Sequence, residues 1–200
     1  MESKGRGADY FQKNYGLTLP HTDVVAASKL IKPCAALDLG CGMGRNSLFL
    51  NELGFTMTSV DANPNAIESL KAVIETESIE GITPFLYNIN DATLDGEYGF
   101  IFSTVVFMFL EAGRIPYIIR NMQQSTAIGG YNLIVSAMHT DKYPCHQGFS
   151  FTFGEGELAD YYKNWELVTY NEDVGELHRV DENGNRIQLQ FATMLAKRIV

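Results

Sequence analysis

Two short stretches of this chain hold residues whose types and spacing could do chemistry. The first is DLGCGMGRN, from Asp38 to Asn46, in which three glycines fall within five residues after a short apolar run. The second is GELHRVDENGNR, in which His178, Arg179 and Arg186 lie close together in sequence. A glycine loop lets the backbone approach a ligand, while a histidine beside arginines suits proton transfer or the binding of an anion.

The glycine loop predicts a cofactor bound at the end of a first strand. Gly40, Gly42 and Gly44 would allow a sharp turn and a close approach to the ligand. Asp61 ends the second apolar run, 21 residues after Gly40, where a carboxylate can accept both hydroxyls of a ribose. Several kinds of cofactor use these features, so the details of the loop must separate them.

The details favour S-adenosylmethionine over a dinucleotide. A dinucleotide loop has its third glycine at the position that Arg45 occupies here, and the Gly-Lys-Ser/Thr pattern of a phosphate loop is absent. Asp38 places an acid directly before the turn, which suits a ligand with an ammonium group and a positive sulfur better than a pyrophosphate. An NAD-dependent oxidoreductase is the alternative from another enzyme class.

The two ends of the cofactor are expected over the third and fourth strands. Asn88 and Ile89 would meet the adenine, although a simple polar turn from Asn88 to Asp91 is the competing interpretation. Thr104 ends the fourth strand, where the methionine end would lie. The predicted cofactor-binding residues are Asp38, Gly40, Gly42, Gly44, Arg45, Asn46, Asp61, Ala62, Asn88, Ile89 and Thr104.

Apolar runs and helix-like segments alternate along the chain, which predicts a single α/β domain over residues 1–200. Strands are predicted over residues 35–39, 56–61, 83–89, 100–107 and 131–138. Helices are predicted over residues 45–53, 63–79 and 115–126, the last closed by Gly129 and Gly130. This order indicates a parallel sheet with helices on both faces. Two further runs flank the turn VDENGN, so the sheet is expected to end in an antiparallel hairpin.

Composition and charge exclude several classes of protein. Acidic residues outnumber basic ones by 24 to 15, and a net charge of −9 argues against nucleic-acid binding, which needs a basic surface. The longest apolar run has 11 residues, against roughly 20 for a membrane helix. The N-terminal residues lack the apolar core of a secretion signal, so a cytoplasmic protein is expected. Three cysteines fit neither a disulfide framework nor a zinc site, and no metal is expected.

Several longer motifs together resemble the TehB family of tellurite-resistance methyltransferases. They are DLGCGMGRNSLFL, FSTVVFMFLEA, GGYNLIVSAM, YPCHQGF and NEDVGELHR, and the likeness runs from about Tyr10 to Lys197. The resemblance implies a Rossmann-like class I methyltransferase whose seven-stranded sheet has the order 3-2-1-4-5-7-6. It also implies methylation of tellurite, selenite or related small species, which would detoxify tellurite.

The resemblance further implies that His178, Arg179 and Arg186 form the catalytic site. A hairpin turn at Asn183 and Gly184 would bring the two arginines together, and paired guanidinium groups are stabilised by an anion between them. His178 would take the proton from hydrogen tellurite or hydrogen selenite, or orient the anion.

Other interpretations of these residues stay open. Arginines beside an exposed turn are usually solvated, and a lone histidine is usually structural. The methyl acceptor could also be another small thiol or amine, or the chain could bind S-adenosylmethionine without catalysis. Residues 1–25 are expected to form a lid over the cofactor, within which His21 is expected to cap a helix or lie on the surface. The sequence has no heptad pattern from which an oligomeric state could be predicted.

Overall fold

The computed structural model describes Arg6, residues 9–180 and residues 184–200, with residues 177–180 described by their backbone alone. In that part of the chain seven strands form one sheet. They are β1 (Ala35–Leu39), β2 (Thr56–Asp61), β3 (Ile82–Leu86), β4 (Tyr98–Thr104), β5 (Thr126–Ala137), β6 (Glu166–Val180) and β7 (Arg186–Lys197). The strand order is β3-β2-β1-β4-β5-β7-β6. The predicted seven-stranded order is therefore confirmed.

The strand directions divide the sheet into a parallel part and an antiparallel part. β1 to β5 are parallel wherever they pair, and β7 runs antiparallel to both β5 and β6. β6 and β7 form the predicted C-terminal hairpin, with Val174 opposite Gln190 and Val180 opposite Arg186. Residues 181–183 of the predicted turn VDENGN lie outside the described residues.

Within the same residues the helices pack on both faces of the sheet. They are α1 (Tyr10–Tyr15), α2 (Thr22–Ser28), α3 (Arg45–Glu52), α4 (Pro64–Glu77), α5 (Ile115–Gln124) and α6 (Glu157–Tyr161). None of the helices that the structure describes has the length and hydropathy that crossing a membrane requires.

The strands alternate their side chains between two apolar clusters, one on each face of the sheet. On β4, Phe100 and Phe102 join a cluster that includes Leu70 of α4. Their neighbour Ile101 points to the opposite face and joins a cluster that includes Ile118 of α5. The prediction of helices on both faces is confirmed, and the carboxyl ends of the parallel strands are left free for a site.

The fifth strand begins earlier than predicted. The helix expected over residues 115–126 ends at Gln124, and β5 starts at Thr126, so Gly129 and Gly130 lie inside a strand and do not close a helix. A Cβ at Gly130 would lie 3.0 Å from the carbonyl oxygen of Gly99. Gly130 therefore lies where backbones approach closely, at an irregularity between β4 and β5, whereas Gly129 has a φ of 81° and open space at its Cβ position.

Three other predicted boundaries are too long. β3 ends at Leu86, because Asn88 caps a single 3₁₀ turn over Ile89–Asp91. β4 ends at Thr104, because Val105 has a φ of 61°, outside the extended region. The helix predicted over residues 63–79 ends at Glu77, after which Ser78 has left-handed dihedrals. The start of that helix is as predicted, with Asn63 as its N-cap.

Candidate active site

The glycine loop joins β1 to α3 with all three glycines at positive φ. A Cβ at Gly40 would lie 2.4 Å from Val106, and one at Gly44 would lie 2.4 Å from Leu70, so both positions are closed to larger residues by packing. A Cβ at Gly42 would meet nothing within 4 Å. The backbone at Gly42 therefore faces open space, as a loop that receives a ligand must.

Asp61 ties two backbone segments of this site together. Its Oδ2 accepts the Gly42 N–H at 2.8 Å, and its Oδ1 accepts the Asn63 N–H at 2.8 Å. Each carboxylate oxygen has a second lone pair beyond these bonds. The arrangement fits the predicted role of Asp61 toward ribose hydroxyls. Ala62, the next residue, is exposed beside it.

Asp38 lies beneath the loop. Its side chain is only 1% exposed, and its Oδ2 accepts the Ser47 hydroxyl at 2.7 Å. Burial raises the pKa of Asp38 to about 7, although the hydrogen bond from Ser47 acts in the opposite direction and lowers it. Asp38 thus lies in a supporting position below the loop, and its direct contact with the cofactor stays a prediction.

A cavity of about 240 Å³ opens beside the glycine loop. Its walls come from the loop, from Arg45, Asn46 and Thr104, and from residues 16–18 of the N-terminal segment. Asn46 is 4% exposed and bridges two of these walls, because its Oδ1 accepts the His21 N–H at 2.9 Å and its Nδ2 donates to Thr104 Oγ1 at 3.2 Å. Five of the eleven predicted cofactor-binding residues line this cavity, namely Gly40, Gly42, Arg45, Asn46 and Thr104.

The predicted adenine end is a polar turn in the structure. Asn88 Oδ1 accepts the Asn90 N–H at 3.1 Å, as the cap of the 3₁₀ turn requires. The side chain of Ile89 is 6% exposed and joins the core cluster of α5. Contact of Asn88 and Ile89 with an adenine stays a prediction.

A second cavity of about 470 Å³ adjoins the first, and the two share Thr18 and Arg45. The β5–β7–β6 side of the sheet contributes one wall, including Val135 and Phe191. The N-terminal segment contributes His21 and Asp23. The larger cavity is placed to hold a second molecule next to whatever occupies the first.

Arg45 lies between the two cavities and is fixed by the N-terminal segment. It donates from one guanidinium nitrogen to Thr18 Oγ1 at 3.0 Å and to the Leu19 carbonyl oxygen at 3.3 Å. Burial lowers the pKa of Arg45, although the negative charge of Asp38 acts in the opposite direction and raises it. A cation therefore faces both spaces at their junction.

Sequence reasoning missed several residues of the larger cavity. Val105 has a φ of 61°, which is rare for a β-branched residue, and its N–H donates to the Val135 carbonyl oxygen at 2.7 Å. Asp173 and Glu176 of β6 line the same cavity. No local sequence pattern marks a left-handed valine. The two acids become neighbours of the glycine loop only through the strand order.

The predicted catalytic residues lie at the far end of the hairpin. The backbones of His178 and Arg179 belong to β6, but their side chains lie outside the described residues. Arg186 is the first residue of β7 and is exposed. Its Nη1 lies 3.9 Å from Oε2 of Glu176, which lines the larger cavity. The pairing of Val180 with Arg186 brings the two predicted arginines to the same end of the hairpin. Their joint action on a substrate stays a prediction.

The N-terminal segment closes one side of the site. Tyr10 and Tyr15 donate to Glu77 Oε1 at the end of α4, and Arg6 forms ion pairs with Glu77 and Glu52. The hydrogen bond to Glu77 is the main reason why the pKa of Tyr15 rises to about 12. This position fits the predicted lid, whose movement stays a prediction.

The strand order, the glycine loop after β1 and the carboxylate at the end of β2 together define the class I architecture of S-adenosylmethionine-dependent methyltransferases. A family model described as tellurite resistance protein TehB matches residues 4–195. The chain belongs to this family, which confirms the resemblance seen in its sequence motifs.

The similar proteins from Haemophilus influenzae carry the name of this family. The chain is 57% identical over 190 residues to the "Probable S-adenosyl-L-methionine-dependent methyltransferase TehB" of Haemophilus influenzae strain 10810, covering 95% of this chain and 66% of that protein. It is 51% identical to "Hemagglutinin 1" of Eikenella corrodens, covering 96% of this chain and 63% of that protein. The crystal structure of TehB from Haemophilus influenzae superposes with a TM-score of 0.92 at 56% identity, covering 96% of this chain and 66% of that one. The chain thus spans about two thirds of the length of these relatives.

Proposed function

We propose that this protein is an S-adenosylmethionine-dependent methyltransferase whose acceptor is a small oxyanion such as tellurite or selenite. The observation that carries the proposal is the pair of adjoining cavities that meet at Arg45 and Thr18. One lies on the glycine loop, and the other is large enough for a small acceptor beside it. The names of the family and of the Haemophilus relative support this cofactor and this acceptor.

Residues that line the smaller cavity, and Asp61 bonded to the loop beside it, fit the cofactor. Asp61 has carboxylate lone pairs beyond its two backbone bonds, and the backbone at Gly42 faces open space. Thr104 and Asn46 would border the methionine end. When bound, S-adenosylmethionine supplies a methyl group on a positively charged sulfur.

The chain's own part in the reaction is to bind and orient the acceptor. Methyl transfer to a good nucleophile needs little acid–base assistance, so most of the rate enhancement comes from proximity and orientation. Arg179 and Arg186 would hold the oxygens of the anion, and His178 would take its proton or orient it. The wall formed by residues 16–18 would exclude water from the neighbouring cofactor.

The charge of the larger cavity favours a second candidate acceptor, a small amine. Asp23, Asp173 and Glu176 line this cavity together with His21 and Arg45. Carboxylates attract a protonated amine and repel an anion. An amine methyltransferase with the same cofactor is therefore the alternative that a specific feature of the site supports.

The test is calorimetric titration with S-adenosylmethionine, followed by incubation with selenite, ethanolamine or 2-mercaptoethanol and detection of S-adenosylhomocysteine by mass spectrometry. We expect product that depends on selenite. Product with ethanolamine alone would favour the amine candidate. Cofactor binding without product from any acceptor would indicate a non-catalytic binding protein.

The arginine pair is tested by Arg186→Ala, with Arg120→Ala as the control because Arg120 is exposed on α5. Loss of a charged hydrogen bond should raise the KM for selenite about tenfold or more in Arg186→Ala, with unchanged cofactor affinity. An unchanged KM would remove Arg186 from the acceptor site.

A further inference from the structure

His21 lies on the wall of the larger cavity and caps α2. Its ring accepts the N–H of Asp23 at 3.3 Å through Nδ1, which is the hydrogen bond of a helix N-cap. The side chain is 18% exposed and borders the cavity together with Thr18 and Arg45. The expected capping role is confirmed, but capping uses only one of the two ring nitrogens.

The partners of Nδ1 determine what the other nitrogen can do. In the neutral ring Nδ1 is an acceptor, so the hydrogen is on Nε2. When the ring is protonated, Nδ1–H faces the Asp23 carboxylate, whose Oδ2 lies 3.3 Å away. Nε2 carries a hydrogen in both forms, and His21 is therefore a donor through Nε2 whatever its charge.

Hydrogen bonds to residues of the smaller cavity hold the backbone of His21 in position. The His21 N–H donates to Asn46 Oδ1, and Asn46 in turn donates to Thr104 at the end of β4. Among the described residues, none accepts a hydrogen bond from His21 Nε2. The backbone of His21 is thus tied to the predicted cofactor site, while its Nε2 has no hydrogen-bond partner within the described part of the chain.

Carboxylates, which only accept hydrogen bonds, outnumber the imidazole and guanidinium donors among the described residues that line the larger cavity. Asp23, Asp173 and Glu176 are carboxylates, while among the described lining residues the ring and guanidinium N–H groups belong to His21 and Arg45. An acceptor molecule that presents an oxygen to this end of the cavity needs such donors.

From this geometry we infer that His21 binds the methyl acceptor, donating a hydrogen bond from Nε2 to one of its oxygens, next to the charge of Arg45. This inference rests on the proposed function and adds a contact that the residues at the end of the hairpin do not supply. The chemical class of ligand is an oxyanion or a hydroxyl-bearing molecule. His21 acts as a donor, so it takes no proton in the transfer.

Two substitutions separate this role from capping. His21→Asn keeps the cap, because asparagine is among the best N-cap residues, but its amide is too short to reach the position of Nε2. His21→Gln has an amide N–H at nearly that position. A matched control is His139→Asn, since His139 Nδ1 also accepts a backbone N–H, from Cys145 at 3.1 Å, but the ring lines a different cavity.

We expect His21→Asn to raise the KM for selenite about tenfold with kcat, melting temperature and cofactor affinity close to those of the wild type. His21→Gln should recover most of the loss, and His139→Asn should resemble the wild type. Two further measurements do not depend on turnover. Selenite should bind the S-adenosylhomocysteine complex about tenfold more weakly in His21→Asn, and the ¹⁵N spectrum of the free protein should show the Nε2–H form of His21.

Other outcomes would overturn the inference. They are a wild-type KM in His21→Asn, a loss of cofactor affinity without a change in KM, and an Nδ1–H ring in the free protein. Wild-type protein that binds cofactor but methylates no acceptor would overturn the proposed function as well. Wild-type protein that methylates selenite while His21→Asn matches it would overturn this inference alone.

Discussion

A single carboxylate, that of Asp61, holds both the glycine loop and the cap of the following helix. It accepts the N–H groups of Gly42 and Asn63 at 2.8 Å each. An amide in the same place has one acceptor oxygen and one donor nitrogen, so one of the two backbone bonds would be lost. The shape of the glycine loop therefore depends on the two acceptor oxygens of this side chain.

We predict that Asp61→Asn lowers the affinity for S-adenosylmethionine by about tenfold or more, because it loses a backbone contact and a ribose partner. Isothermal titration calorimetry measures the effect. Glu68→Gln on the exposed side of α4 is the control and should leave the affinity unchanged. Equal affinities in Asp61→Asn and the wild type would exclude Asp61 from the cofactor site.

Asp38 gives a prediction about stability. Its pKa of about 7 in the folded protein lies above the ordinary value of 3.8, because burial disfavours the charged form. The folded state therefore binds this proton more tightly than the unfolded state, and the resulting stabilisation is present below about pH 4 and is lost as the pH rises to about 7.

Asp38→Asn removes that titration and keeps an oxygen to accept the Ser47 hydroxyl. Between about pH 4 and pH 7 the unfolding free energy of Asp38→Asn should rise relative to that of the wild type, and above about pH 7 the difference should be constant. Urea unfolding of both proteins without cofactor measures it. A difference that does not vary with pH would mean that Asp38 titrates near its ordinary value.

Sequence spacing could predict Asp61 and the glycines, because the chemistry of a nucleotide loop constrains residues that are near in sequence. It could not predict that Asp38 points to Ser47, since the direction of a side chain at a strand end depends on the helix packed beneath it. Nor could it predict Val105, whose φ of 61° is fixed by a bond to Val135 on another strand. Local patterns give residue types, and tertiary contacts decide where they face.

At the level of elements, Glu77 joins the N-terminal segment to α4 by polar contacts. Glu77 accepts from Tyr10 and Tyr15 and pairs with Arg6, and the hydrogen bonds of the two tyrosines are the main causes that lower the pKa of Glu77. The residues that follow Tyr15, 16–18, wall the smaller cavity. The contacts of Glu77 should therefore keep residues 16–18 in place as the wall of the smaller cavity.

We predict that Glu77→Gln weakens cofactor binding about three- to tenfold, since it loses charged hydrogen bonds that position this wall. Hydrogen exchange over residues 10–20 should speed up in the same variant. Glu75→Gln is a matched control on the same helix, because Glu75 is exposed. Faster exchange without weaker binding would show that the segment is anchored by Glu77 but does not contribute to the cofactor site.

The start of β5 shows where prediction of elements fails. A glycine pair after a helical pattern usually closes a helix, yet Gly129 and Gly130 lie within a strand that already pairs at Thr126 with Tyr98. A Cβ at Gly130 would lie 2.9 Å from Ala127 and Thr126 of the same strand and 3.0 Å from Gly99 of β4, so tertiary packing and not helix termination requires this glycine. The alternation of strands and helices was nevertheless sufficient to predict the parallel sheet, since βαβ units have few topologies.

At the scale of the whole molecule, charge opposes the proposed acceptor. The chain carries a net charge of −9, and Asp23, Asp173 and Glu176 line the larger cavity. A selenite anion that approaches this cavity meets a repulsive field before it reaches the nearby donors. Long-range repulsion acts on the association step, whereas contacts with arginine and histidine act on the bound state.

The two contributions differ in their dependence on salt. The screening length falls from about 30 Å at 0.01 M salt to about 10 Å at 0.1 M, so the field of the whole molecule is screened first. We predict that kcat/KM for selenite rises several-fold between these concentrations, while that of the neutral 2-mercaptoethanol stays constant. Asp173→Asn should have a higher kcat/KM for selenite at low salt and a weaker salt dependence.

A kcat/KM for selenite that falls steadily with salt would mean that attraction by the site's cations already dominates at long range. A protonated amine would give the same falling dependence, so salt titrations with selenite and ethanolamine in parallel identify which acceptor the field of this protein favours.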